Sequence, residues 1–174
     1  MNNEKVEVLL RSIEPKDATT LMELNNSQEI SKFVVGTPQS VTLEQQLKWM
    51  ESLKNETNVK RWIIDFEGVA VGTIILSSID PKNSTGNMNI KLLPSCQGKG
   101  IARASLQKAC DIAFDEMDIQ CLTAHILPYN EKSINLFKKI GFQKDGVLRS
   151  RVVKDGVRYD LLAFSLLKEE RIRI

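Results

Sequence analysis

Residues 87–117 read NMNIKLLPSCQGKGIARASLQKACDIAFDEM. The first part, Met88 to Leu93, has the form of a strand that breaks at Pro94. A short loop follows, Gln97-Gly98-Lys99-Gly100-Ile101-Ala102, and a helix starts directly after its glycines. Glycine lets backbone N–H groups approach a ligand closely, because no Cβ stands in the way. A helix N-terminus adds free N–H groups and a partial positive charge. Strand, glycine loop and helix together therefore suit a phosphate or pyrophosphate.

Two familiar phosphate loops do not fit. A Walker loop needs Ser or Thr after its Gly-Lys pair, whereas here Lys99 precedes Gly100 and Ile101 follows it. A dinucleotide fingerprint needs a third glycine and a position near the start of the fold. What remains is the pattern Gln/Arg-x-x-Gly-x-Gly/Ala, met by Gln97, Gly100 and Ala102. It resembles the acyl-CoA loop of the GCN5-related N-acetyltransferase (GNAT) superfamily. Taken alone, the same residues also describe a plain turn and helix start.

The segment from Asn130 to Phe142, NEKSINLFKKIGF, resembles the second hallmark of that superfamily. There an Asn ends a strand, a small residue (Ser133) follows three positions on, and a short helix runs into Gly-Phe. The stretches DGVLR (145–149) and DGVRYD (155–160) resemble the closing hairpin of its small-molecule and ribosomal-protein branches. The resemblance spans nearly the whole chain. It implies one acetyltransferase domain over residues 1–174, of the α/β (α+β) class. The expected sheet is central, mixed, mostly antiparallel and twisted, with six to seven strands. It splays into a V at the central strands and carries about four flanking helices.

The resemblance also implies roles for particular residues. Backbone groups of Leu92 and Leu93 would pair with the pantetheine arm of acetyl-CoA. Gln97, Gly98, Lys99, Gly100, Ile101 and Ala102 would hold its pyrophosphate, and Asn130 and Ser133 would face the cofactor. Helix capping is the alternative role for Asn130. Many relatives carry Tyr three residues after Ile134 to protonate the departing thiolate; this chain has Phe137, whose ring has no proton to donate. Tyr129 is the weak substitute candidate, with core packing the more ordinary role. Relatives often place Glu on the central strand where this chain has Asn87. Glu23, Glu29, Asp65, Asp145 and Asp160 stay open as bases. His125 alternates within a strand and reads as structural. Cys96 lies beside the loop, but no His or Asp partner is visible to activate it.

Composition agrees with an ordinary globular chain. The 174 residues are 42% hydrophobic and 26% charged, with a net charge of +2. Acids and bases are well mixed, so neither nucleic acid nor an anionic membrane is expected as a partner. The three cysteines, Cys96, Cys110 and Cys121, are odd in number and widely spaced, which favours free thiols in a reducing compartment. There is no Cys/His cluster, so no metal is expected. No signal-peptide stretch opens the chain, and the cytoplasm is the default location.

Along the rest of the chain, residues 6–13 alternate as a strand, and Pro15 opens a helix with Ala18, Leu21, Met22 and Asn25 at helical spacing. Thr42-Leu43-Glu44-Gln45 has the form of a capping box; Leu43, Leu47, Met50 and Leu53 then share one face of a second helix. Residues 61–66 and 69–79 form a hairpin across Glu67-Gly68, with Gly72 marking a bulge or close packing. The long helix buries Ala102, Leu106, Ala109, Cys110, Ala113 and Met117. A strand at 121–127, a helix at 131–139 and a hairpin across Asp155-Gly156 complete the fold, with residues 168–174 as a charged, frayed tail.

The expected activity is transfer of an acetyl group from acetyl-CoA to a primary amine, by direct attack with both substrates bound. The acceptor set comprises a small-molecule amine (amino sugar, polyamine, amino acid) or a protein N-terminus, and a homodimer is compatible with it. A different class, a catalytically silent acyl-CoA-binding or sensing module, is the alternative that Phe137 and Asn87 motivate. A phosphate-loop kinase is disfavoured by the missing Ser/Thr.

Overall fold

The computed structural model describes residues 6–36 and 40–172. Seven strands among these residues form one sheet: β1 (Leu9–Arg11), β2 (Lys60–Phe66), β3 (Val69–Asp80), β4 (Thr85–Leu92), β5 (Cys121–Ile126), β6 (Gln143–Lys154) and β7 (Val157–Leu167). Their order is β1-β2-β3-β4-β5-β7-β6, antiparallel except for the β4–β5 pair. Among the described residues five α-helices accompany it: α1 (Ala18–Asn26), the short α2 (Gln28–Ser31), α3 (Leu43–Ser52), α4 (Ile101–Glu116) and α5 (Glu131–Ile140). No helix among the described residues is long and apolar enough to cross a membrane.

The expected V is present. β4 and β5 pair only at Thr85↔Cys121, Gly86↔Leu122 and Asn87↔Thr123. Beyond Asn87, β4 continues to Leu92 against β3, while β5 continues to Ile126 against β7. The two strands thus part company at the centre of the sheet and leave two facing edges without strand partners.

Period-2 alternation divides the sheet into two faces. Trp62, Ile64, Ile74, Leu76, Met88, Leu92, Leu122, Ala124 and Ile126 point to α4 and α5, meeting Ile101, Leu106, Ala109, Cys110, Ala113, Phe114 and Phe137 in the main core. On the other face Ile63 joins Leu21, Leu24 and Ile30 beneath α1 and α2. Gly72 sits opposite Leu92, where a Cβ would run into the Lys91 carbonyl oxygen; close backbone packing is the reason for glycine there. Arg11 ties the first elements together, bonding Asp17 at 2.8 and 2.9 Å and Asp65 at 2.9 Å.

Three local expectations change. The apolar stripe of α3 is buried only in part: Met50 packs on the second core, but Leu43 and Leu47 are 45% and 40% exposed, while Gln46 is 2% exposed. Asn25 of α1 donates to Gln46 Oε1 at 3.0 Å, which turns the polar position inward. The strand expected over 6–13 narrows to Leu9–Arg11, although Val6 and Val8 still pack on the main core. The charged tail is pinned as far as Ile172: Arg171 bonds Asp115 at 2.7 and 3.0 Å and lies over the Phe114 ring, and the Ile172 carbonyl accepts from Gln107 Nε2 at 3.3 Å. Residues 173–174 lie outside the described region.

Candidate active site

The loop between β4 and α4 has the backbone form that its sequence suggests. Gly98 and Gly100 adopt φ +77° and +80°, the left-handed region that side-chain-bearing residues enter at a cost. A Cβ on Gly98 would meet nothing within 4 Å, so that glycine faces open space. Gly100 is the N-cap of α4, and no side chain caps the helix. Ala104 is the first residue to bond back, to the Gly100 carbonyl at 3.0 Å. The N–H groups of Ile101, Ala102 and Arg103 therefore have no acceptor within the helix. This end suits a pyrophosphate by both its donors and its dipole. Lys99 is exposed beside it.

Backbone polarity on β4 alternates with register. The Leu93 N–H donates to the Val71 carbonyl at 2.9 Å on the β3 side, and the Leu93 carbonyl accepts the Cys96 N–H at 2.9 Å, so both its backbone groups are spent. By the antiparallel pattern, Lys91, Asn89 and Asn87 also turn their backbone groups toward β3. Met88, Ile90 and Leu92 turn theirs into the V. The Leu92 carbonyl accepts from Gln97 Nε2 at 3.3 Å, which folds the loop back on the strand. Of the expected Leu92–Leu93 pair, only Leu92 presents its backbone to the cleft, and Ile90 is its partner in that role.

On the other arm, Asn130 is buried and its side-chain oxygen accepts the Ser133 N–H at 3.2 Å, capping α5. The amide nitrogen of Asn130 and the half-buried Ser133 lie at the start of α5. Lys132 Nζ reaches Gln97 Oε1 at 3.4 Å and so links the two arms across the V. Sequence spacing gave no sign of that contact, because the residues are 35 apart.

The face opposite α4 carries a polar row. Asn87, Asn89 and Lys91 alternate along β4, and the Thr123 hydroxyl donates to Asn87 Oδ1 at 3.2 Å. His125 follows Thr123 on the same face of β5, half-buried, on the stretch that no longer pairs with β4. Among the described residues no hydrogen bond reaches its imidazole. Above this face α2 bridges toward the β6–β7 hairpin. Lys154 Nζ donates to the Ser31 and Val34 carbonyls at 2.7 and 2.8 Å. Tyr129 packs between Phe33 and Tyr159, with ring centroids 6.0 and 5.3 Å away.

Tyr129 is 40% exposed, and its hydroxyl donates to the Lys32 carbonyl at 2.9 Å. Desolvation, with Tyr159 and Asp155 nearby, pushes its phenol above the usual value. That proton is thus already committed. Phe137 is 3% exposed and meets Phe142 edge-on at 4.9 Å, a core contact. Among the open carboxylates, Asp65 is held by Arg11, Asp160 accepts the Ser150 N–H at 2.7 Å, and Asp145 accepts the Ser165 hydroxyl at 2.8 Å. Glu23 and Glu29 are exposed on α1 and α2.

A family model described as the acetyltransferase (GNAT) domain matches residues 7–143. The Uncharacterized N-acetyltransferase p20 of Bacillus licheniformis is 30% identical over 166 residues, covering 92% of this chain and 93% of that protein. A spermidine N(1)-acetyltransferase of Escherichia coli K12 is 24% identical over 141 residues, covering 81% and 75%. The solved spermidine N-acetyltransferase from Vibrio cholerae, in complex with CoA and spermine, superposes with a TM-score of 0.87 at 21% identity, covering 94% of this chain and 96% of that one. The V, the loop and the order of elements have the same explanation as these matches: the chain belongs to the GNAT acetyltransferase family.

Proposed function

We propose that this protein transfers an acetyl group from acetyl-CoA to the primary amine of a small molecule. The observation that carries the reading is the open β4 edge running directly into an uncapped helix N-terminus. An extended amide-bearing arm can add to such an edge as a strand does, and a diphosphate can end on the free N–H groups of Ile101, Ala102 and Arg103. The residues thus fit the carrier. Gln97, Gly98, Lys99 and Gly100 complete the loop, while Asn130 and Ser133 contribute from the other arm.

Acetyl-CoA supplies the activated acyl group as a thioester. The N–H groups of Ile90 and Leu92, fixed by β3, polarise a carbonyl placed in the V and stabilise the oxyanion that forms there. His125 stands on the opposite edge, where among the described residues no hydrogen bond reaches its imidazole, and a ring nitrogen can accept a proton. We assign it to receive the amine proton, directly or through water, as the amine nitrogen bonds to the acyl carbon; the C–S bond then breaks, and coenzyme A leaves as a thiolate that takes its proton from the imidazolium or from solvent. Much of the remaining rate would come from positioning.

A second reading, a silent acyl-CoA-binding module, is favoured by Phe137 in the core and by the committed phenol of Tyr129. Calorimetry with CoA and an acceptor screen read by mass change separate the two. Heat on CoA addition and a 42 Da mass gain on an amine, roughly one acetyl group, support the enzyme. CoA binding with no turnover on any amine supports the module. Absence of CoA binding by folded protein, with Gly100→Val indistinguishable from the parent, removes both. His125→Gln is expected to lower kcat while leaving the CoA Kd unchanged.

A further inference from the structure

Lys91, next to the last residue of the central strand β4, is unusual for a position so far inside the sheet. It is half-buried on the face of the polar row, between β4 and α1. Its Nζ donates to Asn25 Oδ1 at 3.1 Å, Asn25 Nδ2 donates to Gln46 Oε1 at 3.0 Å, and there the chain stops. Gln46 is 2% exposed, and its Nε2 is buried with no acceptor. Every link is a donor aimed at an amide oxygen, so the cluster ends with surplus N–H groups and no negative charge.

A second cation faces the same side of the sheet. Arg61 lies one row along from Lys91 through the β2–β3–β4 register. Its charge is answered by Glu56, at 2.8 and 3.1 Å, and its guanidinium stacks on Trp49 at 5.3 Å. Lys91 has no such partner: among the described residues no carboxylate lies within 4.0 Å of its ammonium. A desolvated charge without a counter-ion is unfavourable, and Arg61 adds like-charge repulsion. Burial first, then Arg61, draws the Lys91 ammonium below the usual amine value. An anion seated beside Lys91 would answer that charge.

We propose that Lys91 is the anion-recognising residue of the acceptor subsite, so that the amine acetylated here carries a carboxylate or phosphate close to its amino group. The proposal rests on the acetyltransferase reading and narrows it. A polyamine would bring a second ammonium toward Lys91 and Arg61, and is rejected for that reason. Lys91 acts on specificity: it leaves the same free-edged stretch of β4 that offers Ile90 and Leu92 to the acyl group, and it touches the acceptor rather than the carrier.

The test uses matched amines with acetyl-CoA and the full chain. One arm holds amino acids and their amides, a second holds glucosamine 6-phosphate and glucosamine, and a third holds spermidine. In the parent, at least one anionic amine is expected to exceed its neutral counterpart in kcat/KM by tenfold or more, with spermidine below both. The two anionic arms tell carboxylate from phosphate. Lys91→Met is expected to erase that preference through KM, with the CoA Kd unchanged, and Lys91→Arg to restore part of it. Binding of the same amines to the CoA-bound protein, by calorimetry, gives the same comparison if turnover is slow. Spermidine as the best acceptor, or an anionic-to-neutral ratio unchanged in Lys91→Met, overturns the proposal while leaving the acetyltransferase intact. No preference for an anionic amine in either turnover or binding overturns it too, whereas failure to bind CoA at all would instead sink the underlying reading.

Discussion

The Thr123 hydroxyl lies 3.2 Å from Asn87 Oδ1 and 3.3 Å from the Gly86 carbonyl, at the last register pair before β4 and β5 separate. One proton serves two acceptors at the apex of the V. Thr123→Val keeps the shape of the side chain and removes the donor, and should cost about 1 kcal/mol. At this chain length that is a fall in Tm of roughly 2–4 °C. If the apex sets the width of the cleft, CoA affinity falls by up to about fivefold. Thermal unfolding and calorimetry on the same preparation check both parts.

Asn130 separates capping from cofactor binding. Its Oδ1 holds the Ser133 N–H, so Asn130→Ala should cost about 1 kcal/mol in stability. Asn130→Asp preserves the acceptor and adds a charge favoured at a helix start, so Tm should hold. It also removes the amide donor. With Asn130 facing the carrier, the Asp variant should weaken CoA binding by about tenfold, the scale of one buried hydrogen bond. Equal CoA affinity in the parent and the Asp variant would reduce Asn130 to a cap.

The Arg11–Asp17–Asp65 cluster gives the fold an acid-sensitive point. Burial alone would raise the Asp17 carboxyl, but the Arg11 bonds and the Glu14 N–H outweigh it and hold the group below its ordinary value. A depressed folded-state pKa means that the stabilisation is fully present above the unfolded value, about 4, and is lost as pH falls through the folded one. Asp17→Asn should cost about 2–3 kcal/mol at pH 7, less than an isolated buried pair because Arg11 keeps Asp65. The stability gap between parent and variant, from urea melts, should narrow below pH 4 or so. A gap independent of pH would mean that the ionised form is not what matters.

The cysteines should react in a fixed order. Cys110 is fully buried, and desolvation pushes its thiol far up, so it should resist alkylation until the protein unfolds. Cys121 is half-buried with its thiol also raised, by burial and then by Asp145 and Glu170. Cys96, half-buried in the turn beside the glycine loop, should label first. CoA should slow labelling of Cys96 and leave Cys121 unaffected. Mass spectrometry of partially alkylated protein reads the order directly, and CoA protection of Cys121 instead would place the carrier elsewhere.

Much of the frame was legible because it rests on local chemistry. The Thr42–Gln45 box caps α3 in both directions, at 3.2 and 2.8 Å, as its four residues indicate. The Glu67-Gly68 and Asp155-Gly156 pairs turn their hairpins where the chain takes positive φ. The glycine loop and the helix after it stand where the motif places them. The candidate site was less legible. Leu92 and Leu93 look alike in sequence, yet one turns its backbone to the cleft and the other to Val71. Leu43 and Leu47 share an apolar helix face with Met50, yet they are exposed and Gln46 is buried.

Sequence alone determined the succession of strands, turns and helices, and the phosphate-ready loop among them, since these depend on neighbours a few residues apart. Tertiary structure decided which edge of β4 is free, that Lys132 reaches Gln97, and that Lys91 stands on the polar face of β4 bonded to Asn25, with no carboxylate in reach among the described residues. Those outcomes follow from the register of strands and the packing of helices far apart in the chain, where the balance is struck between burial and hydrogen bonding across the whole fold rather than within any one segment.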